Sequence, residues 1–323
     1  MKITRGLIIL LFGLIPAAGT AAQPQAADVD QAGDRLPVQP PADPKSPAAY
    51  NSIPLTRFAA TIATLYRIES PKQADPPLDW VCDKVRKLSP GPIDRVVIYN
   101  PDAVAQWLIL KHADLFKPVR EHAPIELPMA AMMPSVTPVC FGSMYTGARP
   151  EVHGIQEYTK PVIKIDTLFD CLLRSRKRPA IVATSGSSMS KMFLERKMDY
   201  FILDDAHLVL KMASKLIEQD RHDFLVVYNE DYDSTMHRTG TEAKEALQAL
   251  RFQVEGFDAL AHCIKKHWTR HNTLLTFSTD HGVHDTRVFR LTLGDHGKQM
   301  PEDINIVHFL GVIPRKGQPA RPN

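Results

Sequence analysis

The chain has 323 residues, 44% of them hydrophobic and 23% charged, with a formal net charge of +3. That is ordinary globular composition with ample material for a sizeable core, in one domain or two. The small charge carries no block of Lys or Arg, so there is no nucleic-acid-binding signature.

Lys2 and Arg5 precede the apolar run Gly6–Leu14, and the small residues Ala17-Ala18-Gly19-Thr20-Ala21-Ala22 follow. Residues 1–22 therefore read as a secretory signal peptide cleaved near Thr20-Ala21-Ala22, with an uncleaved N-terminal anchor as the competing reading. The run is shorter than the roughly 20 residues that span a bilayer. A mature protein without a transmembrane anchor, periplasmic or secreted, is expected. Residues 23–53 are rich in Ala, Pro, Gln and Asp and read as a disordered linker. The basic, Pro-rich residues 315–323 read as a disordered tail, which leaves 54–314 for the folded domain.

Within that span the β-branched run Arg95–Asn100 predicts a strand, and the apolar spacing of Ala103–Leu115 a helix. Leu168–Arg176 reads as helix, and Ala180–Thr184 and Tyr200–Leu203 as strands. Ala206–Glu218 is an amphipathic helix leading into the strand Phe224–Tyr228. The long helix Glu242–His267 precedes the strand Leu274–Phe277, and Ile304–Phe309 is a last strand. Such alternation predicts an α/β fold with a mainly parallel central sheet and helices on both faces. Ligands of such sheets sit beyond the carboxyl ends of the strands. Cys82, Cys140, Cys171 and Cys263 permit three full disulfide pairings, and their spacing chooses none of them.

Those strand ends carry the polar residues. The first strand runs into Asp102, the Tyr228 strand into Asp233 and His237, and the Phe277 strand into Asp280-His281-Gly282. A later loop presents His296-Gly297. Carboxylate and imidazole together suit Zn²⁺, and less selectively Mn²⁺ or Fe²⁺. Each motif alone is weak, because an Asp after a strand is often a helix cap. In Met133-Pro134-Ser135-Val136-Thr137-Pro138-Val139, Thr137 followed by Pro reads as N-cap and first helical position. A helix start directs free N–H groups and partial positive charge at an anion, and a phosphoryl group suits that place. Thr137 is a nucleophile if a metal ion lowers its hydroxyl pKa, and otherwise a simple cap.

In chain order the set is Asp102, Thr137, then Thr146-Gly147-Ala148-Arg149-Pro150-Glu151-Val152-His153-Gly154-Ile155, Asp233 with His237, Asp280-His281-Gly282 and His296-Gly297. This resembles the alkaline phosphatase superfamily, closest to its type I phosphodiesterase/nucleotide pyrophosphatase branch. That branch places a nucleophilic Thr nine residues before a Thr-Gly…Pro…His-Gly-Ile signature, the spacing of Thr137 to Thr146. The likeness spans about residues 94–312. It implies an alkaline phosphatase-like fold, with 54–314 as the catalytic domain. It also implies two divalent metal ions, Zn²⁺ first and Mn²⁺ second, lying about 4 Å apart. One would be held by Asp102, Thr137, Asp280 and His281, the other by Asp233, His237 and His296. The implied activity is hydrolysis of a small phosphate-ester substrate through a phospho-threonine at Thr137.

The sequence departs from that branch in two ways. Cys140 stands where an Asn commonly contacts a phosphate oxygen, which leaves phosphomonoesterase or phosphotransferase chemistry as the alternative. The preferred reading of Cys140 is a small buried residue on the first helical turn. The chain also lacks a long insertion for a cap domain, so an open substrate pocket is expected. A non-catalytic binding protein on this scaffold is the reading from a different class. His153 is expected to order the loop after the nucleophile helix, and His284 and Asp285 are candidate orienters of the ligands. His112, His207, His222 and His262 read as ordinary surface or core histidines, and Lys191 and Arg196 as a solvated face.

Overall fold

The computed structural model describes residues 49–317. The expected signal peptide, most of the linker and the end of the tail lie outside the described residues. Its strands, in chain order, are β1 (Arg95–Pro101), β2 (Ile125–Ala130), β3 (Pro179–Thr184), β4 (Asp199–Leu203), β5 (Phe224–Asn229), β6 (Thr273–Phe277), β7 (His284–Val288), β8 (Leu291–Asp295) and β9 (Asn305–Ile313). Seven of them form one sheet in the order β2-β9-β6-β1-β5-β3-β4, and β7 pairs with β8 in a separate hairpin. Only β9 runs against the rest of the large sheet.

The central strands are apolar because both faces are covered. In β1, Val96 and Ile98 enter one core while Val97 and Tyr99 enter the other, as the two-residue period of a strand requires. The helices Arg57–Tyr66, Asp79–Leu88, Thr137–Thr146 and Leu168–Arg174 cover the first face. The helices Gln106–Lys111, Lys117–His122, Ala206–Gln219 and Lys244–His267 cover the second. Mainly parallel strands with helices on both faces were expected from the alternation, and that is the architecture found.

Local differences have local causes. Helix over Ala103–Leu115 begins only at Gln106, because Ala103 leaves β1 at φ 67 and Val104 donates its N–H to Thr279 Oγ1 at 2.9 Å. The last strand begins at Asn305 rather than Ile304 and runs on to Ile313, since Ile304 closes the short helix Pro301–Ile304. β2 was not predicted: Pro128 argues against a central strand but is tolerated at a sheet edge. Upstream of residue 54 the chain is already anchored, with Asn51 hydrogen-bonded to Asn305, Gln106, Met129 and Ile306. All four cysteines are free, so none of the three pairings is formed.

Candidate metal centre

The carboxyl ends of β1, β5 and β6 lie side by side, which brings together the segments that follow them. Asn100 Nδ2 donates to Ser278 O at 2.5 Å and Tyr145 OH donates to Asn100 Oδ1 at 2.5 Å, tying β1 and β6 to the Thr137 helix. The loop after β6 is tight. A Cβ on Gly282 would lie 2.0 Å from Glu302 O, so only glycine lets the Asp280-His281 turn pass beneath that backbone. His308 in β9 donates Nε2–H to Thr279 O at 2.7 Å and braces the same turn.

All seven predicted ligands converge. His281 Nε2 lies 3.4 Å from Asp102 Oδ1, 3.4 Å from Asp280 Oδ2 and 3.3 Å from Thr137 Oγ1. The side chains of Asp102, Asp280 and His281 are at most 1% exposed. Beside this deep group lies a shallow one. His237 Nε2 is 3.3 Å from Asp233 Oδ1 and 3.1 Å from His296 Nε2, and His296 Nε2 is 3.5 Å from Asp233 Oδ1. His281 and His296 stack with centroids 4.0 Å apart and join the two groups.

The donor set fits divalent cations on two counts. Asp102 Oδ1 and Asp280 Oδ2 are buried without a hydrogen-bond partner. Unpaired buried carboxylate oxygens are costly unless a cation completes them. In addition, each imidazole spends its Nδ1–H on a carbonyl: His237 on Gly294, His281 on Gly282 and His296 on Ser135, at 3.0, 3.0 and 2.9 Å. A carbonyl can only accept, so each neutral ring turns a bare Nε2 lone pair inward, the arrangement of metal-ligating histidines.

The electrostatics divide the same way. Burial, then the charges of Asp280 and Asp233, pushes the Asp102 carboxyl well above its ordinary range. Burial raises Asp280 as well. Burial also opposes ionisation of Asp233, but the hydrogen bond from His237 and the charges of His296 and His237 outweigh it and hold its pKa down. The Asp233 hydrogen bond lifts His237 to about 8. Burial, then the His281 charge, lowers His296 to about 3. A proton on His237 thus stands between lone pairs where a cation would otherwise sit.

Thr137 is the first residue of its helix rather than the N-cap; that place falls to Val136, in extended conformation, and Pro138 follows Thr137. The Thr137 hydroxyl is therefore not used in capping and lies against His281. Cys140 is fully buried, its thiol 3.6 Å from Met132 O and held neutral by burial, as its bland reading required. Two clefts open on the centre. One of about 230 Å³ includes Asp102, Thr137, Lys160, Ser185, Ser188, Tyr228 and Glu230 in its lining. The other, about 490 Å³, includes Asp233, His237, Arg238 and His296. Exposed Tyr158 lines both.

His153 orders its loop as expected, with Nε2 3.0 Å from Ser143 Oγ and Nδ1 accepting from Ile155 N. His284 and Asp285 touch no ligand side chain. His284 pairs with Asp303 at 2.7 Å, and Asp285 accepts from Thr241 just beyond the helix Asp231–Thr239 that carries Asp233 and His237. His112, His222 and His262 pair with Glu242, Asp199 and Asp258, and His207 packs on Phe252. Lys191 is exposed as expected, but Arg196 is not on a solvated face: its side chain is buried and paired with Asp170 at 3.0 Å. Sequence reading missed Tyr228, whose OH donates to Asp102 Oδ2. At the end of an apolar strand it looks like core.

No protein-family model matches the chain, and no curated protein matches it in sequence. Solved structures do. Murine ectonucleotide pyrophosphatase/phosphodiesterase 5, as an inactive threonine-to-alanine variant in complex with AMP, superposes with a TM-score of 0.54 at 11% identity. It covers 68% of this chain and 88% of its own. The human protein of that name gives 0.53 at 11% identity, covering 67% and 87%. At such identity the likeness establishes a common fold, the alkaline phosphatase-like α/β fold that the ordered residues implied.

Proposed function

We propose that the chain is a metal-dependent phosphoric ester hydrolase of phosphodiesterase/nucleotide pyrophosphatase type, with Thr137 as nucleophile. One observation carries the proposal. The Thr137 hydroxyl, at the start of a ten-residue helix, converges with six other residues, among them Asp102 and Asp280 with inward carboxylate oxygens that have no partner. Asp102, Thr137, Asp280 and His281 would hold one divalent ion, and Asp233, His237 and His296 the other. Such ions lower the pKa of a bound hydroxyl and neutralise phosphoryl charge.

The chain's own groups supply the rest. The Gly282 carbonyl accepts His281 Nδ1–H and fixes the ring with Nε2 3.3 Å from Thr137 Oγ1, so that both atoms could reach the same ion. The helix start offers partial positive charge to the phosphoryl oxygens as Thr137 attacks, and the leaving group departs with its bridging oxygen. Lys160 lines the cleft of Thr137, and Arg238 the cleft of His296, so each side of the substrate meets one cation.

Thr137→Ala in the zinc-loaded protein is expected to reduce turnover of an aryl phosphodiester by about 10³-fold or more. Acid-quenched wild type should carry a phosphoryl group on the peptide containing Thr137. Near-normal rates in the variant would sink the assignment. Cys140 favours a second reading, a phosphomonoesterase or phosphotransferase with the same nucleophile, because its thiol meets Met132 O and lines neither cleft. Relative rates on aryl phosphodiester, aryl monophosphate and aryl sulfate separate these readings. Zinc binding without turnover of any of them would make the chain a binding protein.

A further inference from the structure

The β7–β8 hairpin carries a feature that ester chemistry does not use. At its tip Phe289 is fully exposed, Leu291 is 64% exposed and Val288 43%. Val288 faces Leu291 and Thr286 faces Leu293, so these four share one side of the ribbon, with Phe289 at its end. The turn itself is Phe289-Arg290, with Phe289 at φ 56. Two-residue hairpin turns give such a left-handed place to Gly, Asn or Asp, and a bulky aromatic there is an outlier. Phe289 thus combines backbone strain with full exposure of an aromatic ring, and among the described residues no contact offsets either.

The charges around the tip have one sign. Residues 286–293 (TRVFRLTL) contain Arg287 and Arg290 and no acid. The acids at the hairpin base are engaged elsewhere, Asp285 with Thr241 and Asp295 with the His296 backbone. The base is also fixed to the metal centre. A Cβ on Gly294 would lie 2.1 Å from Met236 Sδ, so β8 lies hard against the helix of Asp233 and His237. Gly294 O receives the His237 Nδ1–H, and β8 leads directly into His296.

We propose that this tip is a membrane-docking finger. Phe289, Val288 and Leu291 enter the interfacial layer of an anionic bilayer, and Arg287 and Arg290 meet its phosphate headgroups. A convex apolar wedge flanked by arginines fits a soft anionic surface. Among the described residues no helix is long and apolar enough to cross a membrane. By strand rise the hairpin is about 17 Å long, which would hold the cleft of His237 and His296 close to the lipid surface. The proposal stands independently of the ester class.

The test is co-sedimentation of the full chain with phosphatidylcholine vesicles, with and without added phosphatidylglycerol. Wild type is expected to bind the anionic vesicles alone. Phe289→Ser with Leu291→Ser, and separately Arg287→Gln with Arg290→Gln, should each lower the partition at least about tenfold. Turnover of a soluble aryl phosphodiester and thermal melting should stay at wild-type values. As an independent reading, the tryptophan of Phe289→Trp should shift its emission to the blue on anionic vesicles only. Equal binding by wild type and tip variants, as when the N-terminal apolar run alone holds the lipid, would overturn the proposal. So would sedimentation velocity showing a dimer that Phe289→Ser dissolves while vesicles go unbound, since the occupant would then be a second copy.

Discussion

The two halves of the candidate metal centre are built from the same residue types in opposite proportion. The deep half has two carboxylates and one imidazole, and the shallow half one carboxylate and two imidazoles. They also differ in access: the side chains of Asp102, Asp280 and His281 are at most 1% exposed, while that of His237 is 37% exposed. In the deep half, burial drives both carboxyls towards the neutral form. In the shallow half two histidines offset the burial of Asp233. In the deep half only His281 offsets the two carboxyls, so a bound cation would add most there, whereas the shallow half can keep a proton on His237.

The difference should appear first in activity. Asp280→Ala removes a proposed ligand of the deep ion, and is expected to cost about 10³-fold in turnover together with one bound zinc per chain. His237→Ala opens a half that water already reaches. It should leave the deep ion in place and respond to added zinc. Metal content by elemental analysis and rates across a zinc titration check the contrast; equal loss in both variants at saturating zinc would erase the distinction between the halves.

Stability of the metal-free protein should split by sign. Asp102→Asn removes a buried carboxylate that burial disfavours, so its melting temperature should rise. Asp233→Asn removes a carboxylate that His237 and His296 stabilise, so it should fall. Zinc at a thousandfold over its dissociation constant contributes about 4 kcal/mol, or roughly 10 °C in Tm for a domain of this size. Calorimetry with and without chelator measures all three. A fall for Asp102→Asn would show that its carboxylate is favoured as built.

The shallow half should also be the pH-sensitive one. His237 is raised from 6.5 to about 8, so its pairing with Asp233 stabilises the metal-free fold fully below pH 6.5 and is lost as pH rises through about 8. Zinc must displace that proton. Its apparent affinity at this half is expected to fall about tenfold per unit as pH drops from 8 to 6. Competition with a chromophoric chelator reads this directly, and a flat profile would remove the proton from His237.

Much of this centre was legible because parallel strands deliver their following residues to one edge: Asp102, Asp233 and Asp280-His281 each sit just past a strand that reads plainly as apolar. What closes around them was not legible. His296 is oriented by the Ser135 carbonyl 161 residues away, a pairing that no local pattern carries. The hairpin was missed because Phe289-Arg290 occupies a turn where Gly or Asn would have announced it, and β2 because Pro128 masks an edge strand. Thr137 was read one place off, since Ser/Thr preference at the N-cap outweighed the extended Val136 that fills it.

Tyr228 is the smallest perturbation and the most discriminating. Its hydroxyl is buried and kept neutral by that burial and by the Asp102 charge, and it donates to Asp102 Oδ2. That bond leaves Oδ1, the unpartnered oxygen, as the one turned towards His281. Tyr228→Phe keeps the ring packed edge-on against Phe141 and removes only the donor. With Oδ2 unpaired the carboxylate loses its fixed orientation, and zinc affinity at the deep half should fall by about tenfold, the scale typical of groups that hold a ligand in place. Turnover at saturating zinc should return to within a few-fold of wild type. Because Tyr228 also lines the cleft beside Thr137, a loss that zinc does not restore would place its hydroxyl on the substrate instead of behind Asp102.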